Sequence, residues 1–463
     1  MKLNDMKNNL LILFMLCVCL QVTGHNDDLI ITGNVISRCK PTASGHIVIP
    51  EGVTLIGRRA FQDCRLVESI VIPETVTIIE PEAFKNCISL KSIVIPKSVH
   101  WIMAYAFDHC LSLESVVLPD ISCTLQRGVF RYCSSLESIN LPKGMLYLTP
   151  ELFKGCQSLK SIVVPDGTEA IEDEAFAHCY SLESVVIPES VVWIKDEAFS
   201  FNKSLKSIIV PAVAIGDNAF RACRSLRSIV MNRTVIIGKW AFNECKSLAS
   251  IAIPESVAKI DDCAFYGCKS LKSIAIPARM TSLGQSVFHG CKDLESISVS
   301  PDNPEYDSRY NCNAIIKTLT NELVAGCPNT SIPKDVTRIG DHAFKGCVGL
   351  KSLVLPVGVT SIGEAAFADC SSLKSIVIPE GVSEIGVLAF SDCKSLTSVV
   401  IPHGVTKIED ETFYRCESLK SITIPESVTS VGENAFYSCR SLKSVIIPSS
   451  LQEIGAGAFR NCI

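Results

Sequence analysis

Phenylalanine recurs at a fixed interval along nearly the whole chain, and that interval constrains the fold more than any other feature. Phe61, Phe84, Phe107, Phe130, Phe153, Phe176 and Phe199 lie 23 residues apart. Phe220 and Phe242 end slightly shortened units, Phe265 and Phe288 resume the period, and Phe344, Phe367, Phe390, Phe413, Phe436 and Phe459 continue it after a gap. Sixteen of these seventeen positions carry cysteine three residues later, from Cys64 to Cys462; the exception is Asn202. A period in the twenties is the signature of a solenoid, in which each unit buries its apolar side only against its neighbours. The roughly three domains that length alone would suggest are therefore not expected.

Residues 87–109, CISLKSIVIPKSVHWIMAYAFDH, show how one unit is built. Leu90, Ile93 and Ile95 point inward from a short strand. Pro96 ends it, because proline has no N–H to give to a sheet. A second short apolar pair, Val76 with Ile78 or Val428 with Val431, closes the opposite wall. The segment then enters about one helical turn containing Ala-Phe. Acids gather just before that turn (Glu172, Asp173, Glu174; Glu409, Asp410, Glu411), where they satisfy free N–H groups and the helix dipole; a catalytic role is the sharper but weaker reading. The expected fold is an α/β solenoid of 23-residue units, each a short parallel strand, a second short strand and one helical turn.

Repeats that read C-x-S-L-K-S-I-V-I-P-x-x-V-x-x-I-x-x-x-A-F resemble the BspA-like leucine-rich repeat family over essentially residues 47–463. The resemblance implies a leucine-rich repeat right-handed superhelix and a surface or secreted protein of a bacterium or parasitic protist. For some members it also implies adhesion to host or extracellular-matrix proteins and to other cells.

The front of the chain reads as an export signal. Lys2 and Lys7 precede an unbroken apolar run, Leu10 to Leu20, and Val22 and Gly24 suit a cleavage site. Eleven apolar residues fit a signal core and fall short of the roughly 20 needed to span a bilayer. Expected boundaries are a signal at 1–24, an N-terminal cap at 25–46 in which Leu29, Ile30 and Ile31 cover the first coil, repeats at 47–288, an irregular coil at 289–343 and repeats again at 344–463. The last coil ends without a polar capping unit, so self-association through that coil is expected.

The chain has 23 cysteines. Two lie in the signal, sixteen form the ladder, and Cys39, Cys123, Cys263, Cys312 and Cys327 remain. Ladder cysteines on neighbouring coils would stand about 4.8 Å apart with parallel Cβ vectors, which opposes bridging. They are expected as structural thiols in a small buried corner that also accepts asparagine. The eight histidines follow no repeated inward column, so no metal or other cofactor is expected. In the irregular stretch, Ala314 to Thr318 and Glu322 to Ala325 read as strands joined by Leu319-Thr320-Asn321, with a candidate disulfide between Cys312 and Cys327 across this hairpin.

In-register stacking turns each outward position into a column. The residue after the ladder leucine alternates in charge (Glu68, Lys91, Glu114, Glu137, Lys160, Glu183, Lys206, Arg227) and later turns basic (Lys351, Lys374, Lys420, Lys443). Three residues further lies an apolar column: Val71, Val94, Val117, Val163, Val186, Ile209, Val230, Val354, Val377, Val400 and Ile446, interrupted by Asn140, Ser298 and Thr423. A long exposed β-branched stripe marks a partner-binding surface; the plain alternative is ordinary strand preference with shading by neighbours. Three glycosylation sequons begin at Asn202, Asn232 and Asn329.

A net charge of -5 and a stripe free of stacking aromatics argue against nucleic acid. No nucleophile elbow, H-E-x-x-H or phosphate loop occurs, and no acid–base pair stands out from the repeats, so no enzyme is expected. Two readings remain. One is an extracellular or cell-surface protein that grips protein or glycoprotein partners, host matrix among them, on its concave strand face; the other is a structural coat or spacer without a ligand.

Overall fold

The computed structural model describes residues 26–120 and 123–462; the expected signal at 1–24 lies outside the described residues. The chain divides into two compact units, one up to Thr234 and one from Val235. Each is a parallel β-solenoid with repeats of roughly 23 residues and almost no helix.

In the first unit, one wall stacks the strands Leu66–Val71, Ser92–Val94, Ser115–Val117 and Ser138–Ile139, and then, in further short sheets, Ser161–Val163, Ser184–Val186, Ser207–Val210 and Ser228–Met231. Serine faces serine down this wall, as in Ser69–Ser92, Ser92–Ser115 and Ser161–Ser184. The opposite wall is made of two-residue strands such as Ile78–Ile79, Trp101–Ile102, Ala170–Ile171 and Trp193–Ile194. In the second unit the same two walls recur, for example Ser352–Val354 to Ser444–Ile446 and Arg338–Ile339 to Glu384–Ile385. Strand alternation puts Ile93, Ile162 and Ile376 inside and Val94, Val163 and Val377 outside.

The third side of each coil corrects the sequence-based expectation. No helical turn forms around Ala-Phe. Two residues four apart take the left-handed conformation instead, Glu82 (φ 60°) and Asn86 (φ 61°) in one coil and Glu197 (φ 56°) and Phe201 (φ 61°) in another. The N–H groups then alternate between two directions. Those of Glu82, Phe84 and Asn86 donate to the next coil, at Ala104 O (3.0 Å), Ala106 O (2.7 Å) and Asp108 O (2.9 Å). Those of Ala83, Lys85 and Cys87 donate three residues back within the coil. A helix would aim every N–H along its own axis and leave the neighbouring coil unpaired. The left-handed residues cost about 1–2 kcal/mol each where they are not glycine, and the gain is a third wall stitched from coil to coil.

The acids before this turn have a matching role. With no helix to cap, Asp173 Oδ1 accepts the N–H of Asp196 (3.2 Å), Asp196 Oδ1 that of Asp217 (2.8 Å) and Asp410 Oδ1 that of Glu433 (2.7 Å). They join neighbouring coils.

Inside, the marker phenylalanines form a file. Successive rings from Phe61 to Phe220 stack at 4.9–5.8 Å between centroids, and those from Phe344 to Phe459 at 5.2–5.5 Å. That spacing is close to the strand repeat, which offset parallel rings tolerate well. Ladder cysteines sit beside the file. At the first rung Cys64 Sγ points at Lys40 O (3.6 Å). Within the regular coils the thiol points instead at the phenylalanine carbonyl of the preceding coil: Cys110 Sγ to Phe84 O at 3.2 Å, Cys156 Sγ to Phe130 O at 3.1 Å, Cys439 Sγ to Phe413 O at 3.2 Å. Asn202 makes the same contact with an amide, donating from Nδ2 to Phe176 O (3.0 Å) and Phe199 O (2.9 Å). Its complete burial closes the first sequon to a glycan in the folded chain.

At the front, Leu29–Thr32 and Val35–Cys39 form an antiparallel hairpin, and the second strand pairs in parallel with Leu55–Ile56. Leu29 is buried; Ile30 and Ile31 are exposed and do not cover the first coil. In the irregular stretch, Ala314–Lys317 pairs antiparallel with Glu322–Gly326, and Tyr306–Asp307 adds a third strand on the far side. Gly326 stands where a coil would carry its phenylalanine. A Cβ there would collide with the Phe344 ring, and the Gly326 carbonyl receives the Cys347 thiol at 3.6 Å.

The Cys312–Cys327 bridge is not formed in the structure: both are free, buried thiols. They are engaged elsewhere, Cys312 Sγ with Ser308 Oγ (3.8 Å) and Ala314 O (3.8 Å), Cys327 Sγ with Asn313 O (3.5 Å) and Glu295 O (3.6 Å). Burial pushes both thiols up.

Three tests arise from this fold. Ala222 is buried with φ 57°, so Ala222→Gly should stabilise the chain by about 0.5–1 kcal/mol in denaturant unfolding; a helical site would instead lose about 1 kcal/mol. Desolvation raises the ladder thiols, to about 12 for Cys223 and Cys439 and well above 9.0 for Cys110, Cys133 and Cys156. Since the folded values lie above the unfolded one, the thiols' contribution is complete below about pH 9 and declines above it, by about 1.4 kcal/mol per pH unit for each thiol. Melting temperature should therefore drop steeply between pH 9 and 11, and less steeply in a variant carrying Cys110→Ala, Cys133→Ala and Cys156→Ala; equal slopes would contradict the assignment. Alkylation of the denatured, unreduced protein should label Cys312 and Cys327 separately, and recovery of a cross-linked peptide would reinstate the bridge.

Candidate functional site

The outward positions of the first wall hold the candidate surface. Valine and isoleucine occupy them because β-branched side chains suit a pleated strand, but their exposure is uneven. Val71, Val94 and Val117 are half-buried. From Val163 (64% exposed) through Val186, Ile209 and Val230 the column lies open in the first unit. In the second unit Ala252, Ala275 and Ser298 leave the early positions without apolar bulk, and the open column is Val354, Val377, Val400 and Ile446, with Val354 76% exposed. The expected single stripe is thus one exposed run in each unit.

The flanking charges behave differently in the two units. In the first, opposite charges on adjacent rungs pair: Lys91 with Glu68 (2.7 Å), Lys160 with Glu137 (3.2 Å) and Lys206 with Glu183 (3.5 Å). The hydrogen bond from Lys91 lowers the Glu68 carboxyl below its ordinary range. In the second, Lys351, Lys374, Lys420 and Lys443 are all exposed, and Thr397 rather than an acid breaks the series. The apolar run of that unit is therefore bordered by lysines that form no ion pair among the described residues.

One concavity opens directly onto this run. Ser352–Val354 begins its own sheet, because residues 330–332 on the preceding rung are not paired with it as a strand. The two rungs part around a space of about 680 Å³ bounded by Thr330, Ile332, Lys334, Leu353, Val354 and Val357. That volume lies within the range of ligand-binding clefts, and its mix of aliphatic walls with a few polar groups is typical of them. Sequence patterning locates Val354 but not this opening, which lies beside the rung that follows the hairpin insertion.

A second feature escapes the sequence as well. Asp108 is fully buried on the turn wall, where Arg131 Nε (2.9 Å), His109 Nδ1 (2.9 Å) and Lys85 Nζ (3.4 Å) surround it, and Arg131 continues to Glu151 (3.0 Å). Paired on every side, it joins coils rather than offering a free carboxylate. Among the described residues, no group of three or more His, Cys, Asp or Glu side chains converges as a metal site would require. No helix among them is long and apolar enough to cross a membrane.

Comparison with known proteins places this geometry. The model of the BspA type leucine-rich repeat region matches residues 39–154, 123–235, 213–323 and 337–463. A leucine-rich repeat protein from Bacteroides ovatus is similar at 30% identity with a TM-score of 0.50, over 92% of this chain and 91% of its own. A leucine-rich cell surface protein from Faecalibacterium prausnitzii is similar at 25% identity with a TM-score of 0.43, over 92% of each chain. A comparison with curated proteins finds no match. The repeat family is generally non-catalytic, and no catalytic family is found. Matched over most of its length and built on the same stacked coils, the chain belongs to the BspA-type leucine-rich repeat family.

Proposed function

We propose that this chain is an extracellular or cell-surface interaction protein, not an enzyme, and that it binds protein or glycoprotein partners on the outward positions of its first wall. The observation that carries this reading is the exposed run Val354, Val377 and Val400, bordered by lysines and opening into the concavity beside Val354. Strand preference accounts for β-branched residues at these positions, but it does not account for their exposure beside a cleft. The partner suited to the second unit presents an apolar anchor for the cleft and acidic residues for the lysine column, because complementary charge speeds encounter and fixes register. Host extracellular-matrix proteins are the class that the family relationship brings forward.

The test pairs charge substitutions in each exposed run, Val186→Glu with Ile209→Lys in the first unit and Val354→Glu with Val377→Glu in the second, and measures adhesion to immobilised matrix proteins. These side chains face water, so the fold should be retained. Binding should weaken tenfold or more in at least one pair. Unchanged adhesion in both folded variants, or no adhesion by the parent chain, would favour a coat or spacer that uses the solenoid only for length.

A further inference from the structure

The second wall of the first unit carries a pattern that the first wall does not explain. Its outward column contains Trp101 (48% exposed), Tyr147 (48%) and Trp193 (45%). Two of the three tryptophans in the chain stand here, each two coils from Tyr147. The positions between them are small: Thr124 pairs with Trp101, and Ala170 with both Tyr147 and Trp193; beyond them Ala214 pairs with Trp193 and the larger Ile78 with Trp101. With a small residue on at least one side, each ring remains about half exposed. In the second unit the same column reads Ile236, Lys259, Ser282, Glu322, Arg338, Ser361, Glu384, Lys407, Ser430 and Glu453, one isoleucine and otherwise polar or charged residues without an aromatic ring. The aromatics are therefore not required by the coil.

We propose that this face binds a linear polysaccharide, with the three rings as stacking platforms. Each pyranose ring presents a face of C–H bonds, positively polarised, that suits the negative face of an indole or phenol ring. In an extended β-1,4-linked chain, alternate sugars turn over, so the same face recurs every second sugar. Two coil steps are roughly 10 Å, about the length of two such sugars, and the protein repeats its platform at that step. His100 and Glu169 are exposed beside the rings as partners for sugar hydroxyls, while Lys195 Nζ lies over the Trp193 ring, 5.0 Å from its centroid, and has to swing aside for a sugar to stack there. The face is also indented. Thr124–Leu125 and Tyr147–Leu148 belong to different sheets, and between them lies a groove of about 280 Å³ bordered by Thr124, Lys143, Leu146, Tyr147 and Thr149. A flat aromatic hot spot for a protein would be clustered and centred; these rings are strung out in a line.

Affinity electrophoresis of the folded chain through gels containing hydroxyethylcellulose, glycol chitin or mannan tests the assignment. At least one polymer should retard the protein. Trp101→Ala with Trp193→Ala should weaken that retardation at least tenfold, and Trp101→Phe with Trp193→Phe should recover most of it at unchanged melting temperature. Val186→Glu, on the other wall, should leave it untouched, which separates this site from the strand-face reading. No retardation by any of the three polymers, or equal retardation of the alanine variant, would overturn the proposal. So would loss of a protein partner in the alanine variant without polysaccharide binding by the parent.

Discussion

Everything in this molecule depends on one coil lying on the next at the strand repeat, in register. Three walls enforce that spacing together: two of short parallel strands and a third in which alternate N–H groups of the turn reach the following coil. Phenylalanine rings fill the space inside at nearly the same interval, so backbone pairing and core packing reinforce each other. A single coil could satisfy neither. Its inner side chains would meet water, and the left-handed residues of its turn would cost energy with no neighbour to receive their hydrogen bonds.

The ladder cysteines follow from the same stacking. The corner beside each phenylalanine is small and dry and faces a carbonyl from the coil before, which favours a compact group with one weak donor. Asn202 shows what the corner selects: it keeps the donor and the size while discarding sulfur. Burial holds these thiols protonated and out of reach of oxidants, so a cysteine-rich stack of coils holds together without cross-links.

Regular stacking leaves little room for chemistry, and the features that could recognise a partner lie where the repeat permits variation. Outward positions vary without penalty to the core, so one unit carries alternating ion pairs and aromatic platforms while the other carries a basic border. Openings form where a rung fails to pair, beside Val354 and between Thr124 and Tyr147. The repeat supplies a ruler, and its departures supply the openings.

The amino-acid sequence alone determined the period, the inward leucines and isoleucines, the phenylalanine file, the interchange of Cys and Asn, and the strands near 314–317 and 322–326, because each rests on side-chain size and on alternation. Tertiary structure decided the rest. Ala-Phe with acids before it looks like a helix start when a coil is read by itself, yet it becomes a left-handed turn because Phe84 and its counterparts find better hydrogen-bond acceptors in the neighbouring coil than in their own. The exposure of Val354 against the shading of Val71, the cleft beside Val354 and the burial of Asp108 among cations likewise depend on what the adjoining coil places there. A linear pattern specifies which side of the coil a residue takes; only the assembled stack specifies what stands above and below it.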